Sequence, residues 1–81
     1  MIDLEILSPD KKIYSGKIKL VKLPGTKGSF EVMKNHAPII STLEKGQIKI
    51  IDINNELQFF DINDGVVEAS NNRIVVLVGA L

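Results

Sequence analysis

Residues 46–78 read GQIKIIDINNELQFFDINDGVVEASNNRIVVLV. Short runs rich in isoleucine, valine and phenylalanine are interrupted three times, at Asn54-Asn55, Asn63-Asp64-Gly65 and Asn71-Asn72. Branched and aromatic side chains suit the pleated surface of a strand. Asparagine and glycine tolerate the positive φ that tight hairpins demand. The stretch therefore predicts a strand from Gly46 through Ile53, a return strand from Leu57 to Ile62, and two more strands beyond. Its last run, Ile74-Val75-Val76-Leu77-Val78, is apolar on both parities. One face of that strand packs inward. The other is expected to be covered by a neighbouring chain or by another part of this one.

The same pattern extends toward the N-terminus. Ile2, Leu4 and Ile6 alternate with Asp3 and Glu5, the mark of a strand with one buried face. Ser8-Pro9-Asp10-Lys11 reads as a turn. A second strand begins at Ile13-Tyr14, and Ser15-Gly16 is expected to interrupt it with a bulge or bend. Beyond that point Ile18 and Leu20 carry one parity, whereas Val21 and Leu23 carry the other, so a further irregularity is predicted there. Pro24-Gly25-Thr26-Lys27-Gly28 is a loop, Phe30 and Val32 form a short strand, and Asn35-His36-Ala37-Pro38 is another break before Ile39, Ile40 and Leu43. No segment sustains a helical period. Frequent turns between short β-branched runs define an all-β sandwich or barrel.

Composition bounds what such a domain can do. Its 81 residues make one small domain, 1–81, and 44% hydrophobic content supplies one core. Ten basic residues balance ten acidic ones, which argues against nucleic acid as the main partner. There is no cysteine, and His36 is the single histidine, so disulfides are excluded and a zinc site lacks its usual ligands. Met1 is followed at once by Ile2, Asp3 and Leu4, which does not resemble a signal peptide. The longest apolar run, residues 74–81, is too short to span a bilayer. A soluble, intracellular protein is the expectation. The charges are unevenly distributed: Lys11 to Lys27 holds six lysines and no acid. That stretch is either a solvated strand face or a mildly basic surface that meets an acidic neighbour.

Ile6-Leu7-Ser8-Pro9-Asp10 followed by Ile13-Tyr14-Ser15-Gly16, then Leu23-Pro24-Gly25, Gly28-Ser29-Phe30, His36-Ala37-Pro38, Leu43-Glu44-Lys45-Gly46, Gly65-Val66-Val67-Glu68 and Val75-Val76-Leu77-Val78, resembles in order and spacing the epsilon subunit of F-type ATP synthases. The resemblance covers the whole chain. It implies a flattened antiparallel β-sandwich of about ten short strands on the central stalk, with one side on the gamma subunit and the lower end on the c-ring. It further implies a non-catalytic role that couples proton-driven rotation to ATP synthesis, and a peripheral place on the cytoplasmic face of the bacterial inner membrane. Carried over residue by residue, Thr26, Lys27, Gly28, Ser29 and Phe30 would meet the c-ring, and Ser8, His36, Ala37 and Pro38 would lie near gamma. No cofactor or metal is implied. Lys34-Asn35 stands where the family usually has Pro-Gly, and Asp64 where a glycine usually precedes Gly65. The family usually continues past Gly79-Ala80-Leu81 into a two-helix hairpin that can brake hydrolysis and in some members binds ATP. That function is not carried over.

Two other readings attach to the same residues. Glu31-Val32-Met33-Lys34-Asn35 resembles the tract in which biotin carrier domains hold biotin, with Lys34 as the attachment point, although Asn35 replaces that tract's second methionine. An unrelated β-sandwich adaptor is the other. Catalysis by His36 would require an orienting partner and a nucleophile. Ser29 and Ser41 are nearby in sequence, but neither has a glycine-flanked elbow. The loop at Thr26 lacks the Gly-Lys-Ser/Thr ending and following helix of a phosphate cradle.

Overall fold

The computed structural model describes residues 1–79 and contains eight strands: β1 (Ile2–Leu7), β2 (Lys12–Leu23), β3 (Phe30–Met33), β4 (Ile39–Leu43), β5 (Gly46–Asp52), β6 (Leu57–Ile62), β7 (Gly65–Ser70) and β8 (Arg73–Val78). They form one curled sheet in the order β4-β7-β8-β1-β2-β5-β6, with β3 paired to β2 off that path. The all-β architecture agrees with the sequence. The strand count is eight where about ten were expected. The main reason is β2, whose 12 residues run unbroken through Gly16. Gly16 pairs with Leu4 in the β1–β2 ladder, and the Tyr14 ring lies where a Gly16 Cβ would sit, with its hydroxyl 2.9 Å from that position. Tyr14 supplies the side chain that the glycine lacks, so the strand is not interrupted there.

The irregularities fall elsewhere. The register shifts between Ile18 and Leu20 against β5, just before the apolar parity switches at Val21, and between Ile6 and Leu7 against β2. Six of the seven strand pairings are antiparallel, and β1–β8 is parallel, from Asp3↔Arg73 to Leu7↔Leu77. Ile18 pairs with both Ile2 of β1 and Asp52 of β5, so those strands flank β2 on opposite edges. Further along, β3 takes over the edge that β1 has left. The long strand thus belongs to two sheet regions: β4-β7-β8-β1 with its first half, and β3, β5 and β6 with its second.

The inner sides of both regions share one core. Ile2, Leu4 and Ile6 of β1 meet Ile18, Val21 and Leu23 of β2, Ile48 and Ile50 of β5, Val67 of β7, and Ile74 and Val76 of β8, all essentially without exposure. Each such side chain contributes about 1.5–3 kcal/mol on burial, an upper figure because the unfolded chain already hides some surface. The curled sheet is closed at one corner by backbone. Gly25 bridges Leu43, the Thr26 amide donates to the Thr42 carbonyl at 3.1 Å, and the Glu44 amide donates to Pro24 at 2.8 Å. Gly25 is buried there, and a Cβ would lie 2.6 Å from the Gly28 carbonyl oxygen and 2.9 Å from the Phe30 ring. Asp52, the one buried charged residue among those described, accepts from the Asn54 and Glu56 amides at 2.8 and 3.0 Å and so shapes the β5–β6 turn.

Candidate functional site: loops and outer faces

The loop from Thr26 to Ser29 is exposed from end to end. Its base is fixed by the Thr26 and Thr42 hydroxyls, 2.8 Å apart, and by the Gly28 amide donating to Gly25 at 3.0 Å. Gly28 has φ 122, with open space where a Cβ would be, so the tip projects freely in a conformation that favours glycine. Phe30 behaves differently from the rest. It is half-buried and packs on the core, so it anchors the loop from inside. Thr26–Ser29 form a protruding tip, and Phe30 belongs to its base.

Ser8 closes the β1–β2 turn. Its amide donates to Lys11 O at 2.9 Å, its hydroxyl donates to the same oxygen at 3.2 Å, and the Lys11 amide returns a bond to Ser8 Oγ at 3.3 Å. His36 lies at the other end of the domain, beside the β7–β8 turn. Its Nδ1 donates to the Ala37 carbonyl at 2.6 Å, which assigns the Nδ1–H tautomer. His36 borders a shallow crevice with Met33, Ser70, Asn72 and Arg73, and with Ala37 and Pro38 it rims a second depression beside Asn71 and Asn72. No hydrogen bond joins His36 to Ser29 or Ser41 among the described residues, and the Ser41 hydroxyl donates to Thr42 O at 3.2 Å. Nor do three His, Asp or Glu side chains converge there closely enough to hold a metal ion.

The tether under His36 is a feature that the sequence reading missed. The Asn35 amide donates to Asn72 Oδ1 at 2.7 Å, and Asn72 Nδ2 donates to Asn35 Oδ1 at 3.3 Å. Asn35 has φ 65 and Asn72 φ 59, in the left-handed region that asparagine tolerates better than most residues. Asn35 therefore fits the position where the family pattern has glycine, and its side chain adds a bond that glycine could not. The usable signal was an asparagine in each of two separate breaks. At the other family departure, Asp64 Oδ1 accepts from the Gly79 amide at 3.1 Å and holds the exit from β8.

The outer faces of the two sheet regions carry different chemistry. On β4-β7-β8-β1 the cross-strand rows are Ile40–Glu68–Val75–Glu5 and Thr42–Val66–Leu77–Leu7. Ile40, Val66, Val75 and Leu77 line an open apolar depression there, with Ile40 74% exposed. Glu68 also lines the depression and has no ion pair within 4.0 Å among the described residues, whereas along the β1 border Lys17 pairs with Asp3 at 2.8 Å, Lys12 with Glu5 at 3.5 Å, and Arg73 with Glu5 at 3.9 Å. The Lys17 hydrogen bond and charge, with a smaller contribution from Arg73, hold the Asp3 carboxyl below its ordinary value of 3.8. On β3-β2-β5-β6 the rows are Met33–Leu20–Ile51–Leu57 and Glu31–Lys22–Lys49–Phe59.

Exposed loop tips and apolar strips on an all-β scaffold define an interaction module, whose work is done by surfaces. Residues 1–81 match the family model for the ATP synthase, Delta/Epsilon chain, beta-sandwich domain, and the chain belongs to that family. It is 34% identical over 74 residues to the ATP synthase epsilon chain of Chlorobium limicola, which covers 91% of this chain and 84% of that protein. It is 40% identical over 77 residues to the epsilon chain of Sulfurimonas denitrificans, covering 95% of this chain but only 59% of that longer protein. Among solved structures, a chain of the Euglena gracilis mitochondrial ATP synthase superposes with a TM-score of 0.87 at 14% identity, over 95% of this chain and 49% of that one. A chain of the Tetrahymena thermophila mitochondrial ATP synthase central stalk and c-ring gives 0.78 at 16%, over 98% and 63%. At those identities the structural likeness shows the fold alone. The family match over the whole chain overturns the readings of Lys34 as a biotin site and of the domain as an unrelated adaptor.

Proposed function

We propose that this domain is a non-catalytic part of the central stalk of an F-type ATP synthase, that it binds gamma with the outer face of β4-β7-β8-β1, and that it meets the c-ring with the loop at Thr26–Ser29. Family membership over residues 1–81 carries the reading. The placement of the sites supports its details. Ser8 and His36-Ala37-Pro38, the residues that the resemblance assigns to gamma, lie at opposite ends of one outer face, and the Ile40–Val66–Val75–Leu77 depression lies between them. An apolar centre with a polar border is what a stable protein interface uses. The ring-facing loop stands at the closed corner, next to β4.

The mechanism is mechanical. Rotation passes through such a part only if its two contact surfaces keep a fixed relation under torque. Here a single core and the long β2 connect them, and the loop's base is bonded to β4, which itself contributes Ile40 to the gamma-facing side. In the assembled enzyme the domain would sit peripherally at the cytoplasmic side of the bacterial inner membrane, reaching the membrane only through the complex.

Gly28→Pro tests the ring contact. Proline holds φ near −65° and has no amide proton. It therefore cannot keep φ 122 or the Gly28–Gly25 bond, and the tip must reshape while the Thr26–Thr42 bonds hold its base. In the assembled enzyme we expect gamma capture and ATP hydrolysis to persist while ATP-driven acidification of vesicles falls. A normal ratio of pumping to hydrolysis would remove this loop from the ring contact.

A further inference from the structure

The sheet ends on β6, and the open side of that strand is bare backbone. β6 pairs with β5, from Leu57↔Ile51 to Ile62↔Gly46, with no register shift. The turn between them fixes which groups face outward. The Asp52 amide donates to the Glu56 carbonyl at 3.0 Å, so these two residues form a hydrogen-bonded pair. Such pairs alternate along an antiparallel ladder. Gln58, Phe60 and Ile62 therefore bond to β5, whereas the N–H and C=O groups of Leu57, Phe59 and Asp61 point to the open edge. Among the described residues none of those six groups has a backbone partner. Other edges are guarded: on β4 the Thr42 carbonyl accepts from Thr26 and Pro38 precedes the strand, and β3 has only four residues. Short length, proline, lysine and bulges are the usual protections of an edge. β6, Leu57-Gln58-Phe59-Phe60-Asp61-Ile62, has none of them, and Leu57 and Phe59 are each 56% exposed beside it.

We infer that β6 is a strand-addition site whose occupant is β6 of a second copy, antiparallel about a two-fold axis at Phe59. A row of outward N–H and C=O groups two residues apart is matched by another extended strand. The symmetry of β6 itself selects a second copy. Its outward residues, Leu57, Phe59 and Asp61, are centred on Phe59. With Phe59 opposite Phe59 of the second copy and Leu57 opposite its Asp61, every opposed pair is a hydrogen-bonded one, and all the outward groups of both strands are satisfied. A slip of two residues leaves one outward residue of each copy without its opposite, and a slip of one sets outward groups against inward ones. The same register keeps like charges apart: Asp61 faces Leu57, and Glu56 faces Ile62. Lys49 is the direct cross-strand neighbour of Phe59, so a row Lys49–Phe59–Phe59–Lys49 crosses the axis, with the two rings between the two ammonium groups. Each copy uses its one β6 edge, so assembly closes at two. This inference does not rest on the gamma assignment, which concerns the outer face of β4-β7-β8-β1.

The test follows the full chain from micromolar to millimolar concentration by sedimentation equilibrium and by residue-resolved amide hydrogen exchange. We expect a dimer at the upper end. There the Leu57, Phe59 and Asp61 amides should exchange about tenfold more slowly, while those of Gln58 and Phe60, already bonded to β5, change little. Phe59→Pro removes the central donor at a position where proline spares the β5–β6 ladder, and Phe59→Lys sets like charges at the axis. Each should weaken the dimer at least about tenfold. Far-UV circular dichroism checks the fold, and the lysine variant carries the test if the proline variant unfolds. The chain has no cysteine, so single cysteines report the register. Phe59→Cys should join two copies through a short thiol cross-linker, whereas Leu57→Cys, offset by about 13 Å along the strands, should not. A chain that stays monomeric at millimolar concentration overturns the inference. So does a dimer whose Leu57, Phe59 and Asp61 amides exchange as fast as in the monomer, since the copies then meet through side-chain faces. Equal cross-linking by the two cysteine variants, or growth beyond two copies, also overturns it. If the three amides become protected only when gamma is added, the edge belongs to that partner and the second copy is excluded.

Discussion

The two outer faces present similar amounts of exposed apolar side chain but differ in how their lysines are paired. On β4-β7-β8-β1, every border lysine and arginine of the β1 neighbourhood has a carboxylate from the next strand, and Glu5 serves both Lys12 and Arg73. On β3-β2-β5-β6, two lysines face each other without such a partner. The difference comes from register. β2 contributes lysines to both faces, and the shift between Ile18 and Leu20 decides which of them meet an acidic strand and which meet Lys49. The first face still holds Glu68, without an ion pair among the described residues, between Ile40 and Val75. The second holds Lys22 and Lys49, without an ion pair among the described residues.

The most damaging test of this contrast places a charge at the centre of each face. Ile40→Asp with Leu77→Asp should lower gamma capture on the order of 100-fold, because a buried, unpaired carboxylate opposes docking. Leu57→Asp with Phe59→Asp should leave capture nearly unchanged. Equal losses from both pairs, read by titrated pull-down, would abolish the distinction between the faces.

Gly25→Val acts at the corner that joins the two regions. With a Cβ 2.6 Å from the Gly28 oxygen, the loop base must shift, and overpacking of this kind costs about 1–3 kcal/mol. Urea unfolding measures that cost, and an unchanged midpoint would show that the corner contributes little.

A smaller effect is expected at the His36 end. Asn72→Gly removes the amide pair but suits φ 59, and should cost about 1 kcal/mol. Asn72→Ala loses the same bonds and adds the strain of a left-handed backbone, about another 1 kcal/mol. If glycine and alanine destabilise equally, the side-chain bonds outweigh the backbone term and the comparison is misjudged.

Asp3→Asn is expected to be the smallest. Because the folded carboxyl lies below 3.8, its contribution is present above that pH and is lost as pH falls through the folded value. The stability gap between the natural chain and Asp3→Asn should therefore close in acid below 3.8. A gap that widens there would contradict the Lys17 pairing.

Local chemistry made much of this legible. Asn54-Asn55 and Asn71-Asn72 lie in the β5–β6 and β7–β8 turns, where Asn55, Asn71 and Asn72 all have positive φ. The switch of apolar parity from Ile18 and Leu20 to Val21 and Leu23 lies next to the register shift between Ile18 and Leu20. Gly16 misled because its missing side chain is replaced by Tyr14, two residues away on the same face, which strand periodicity shows only when the neighbour's rotamer is known. The parallel β1–β8 pair was out of reach, since no local pattern records which distant strand lies alongside. For the same reason the sequence showed a run of six lysines without showing which of them would be neutralised. Ser8 and His36 were singled out by resemblance, and their position at the two ends of one face emerged only from the register of β1, β8, β7 and β4.

That parallel pair also governs how the chain can fold. Asp3 lies beside Arg73 and Leu7 beside Leu77, so the first strand waits for the last before its second edge is filled. Pairing across such a separation is slow, because the entropy of closing the loop is spent before any contact offsets it. During synthesis the β1–β2 hairpin can form early, but β1 holds an open edge until β8 has emerged from the ribosome. The same strand that completes the core, β8, lays Val75 and Leu77 on the outer face. A chain in which β8 has not yet docked therefore lacks part of the surface proposed to meet gamma.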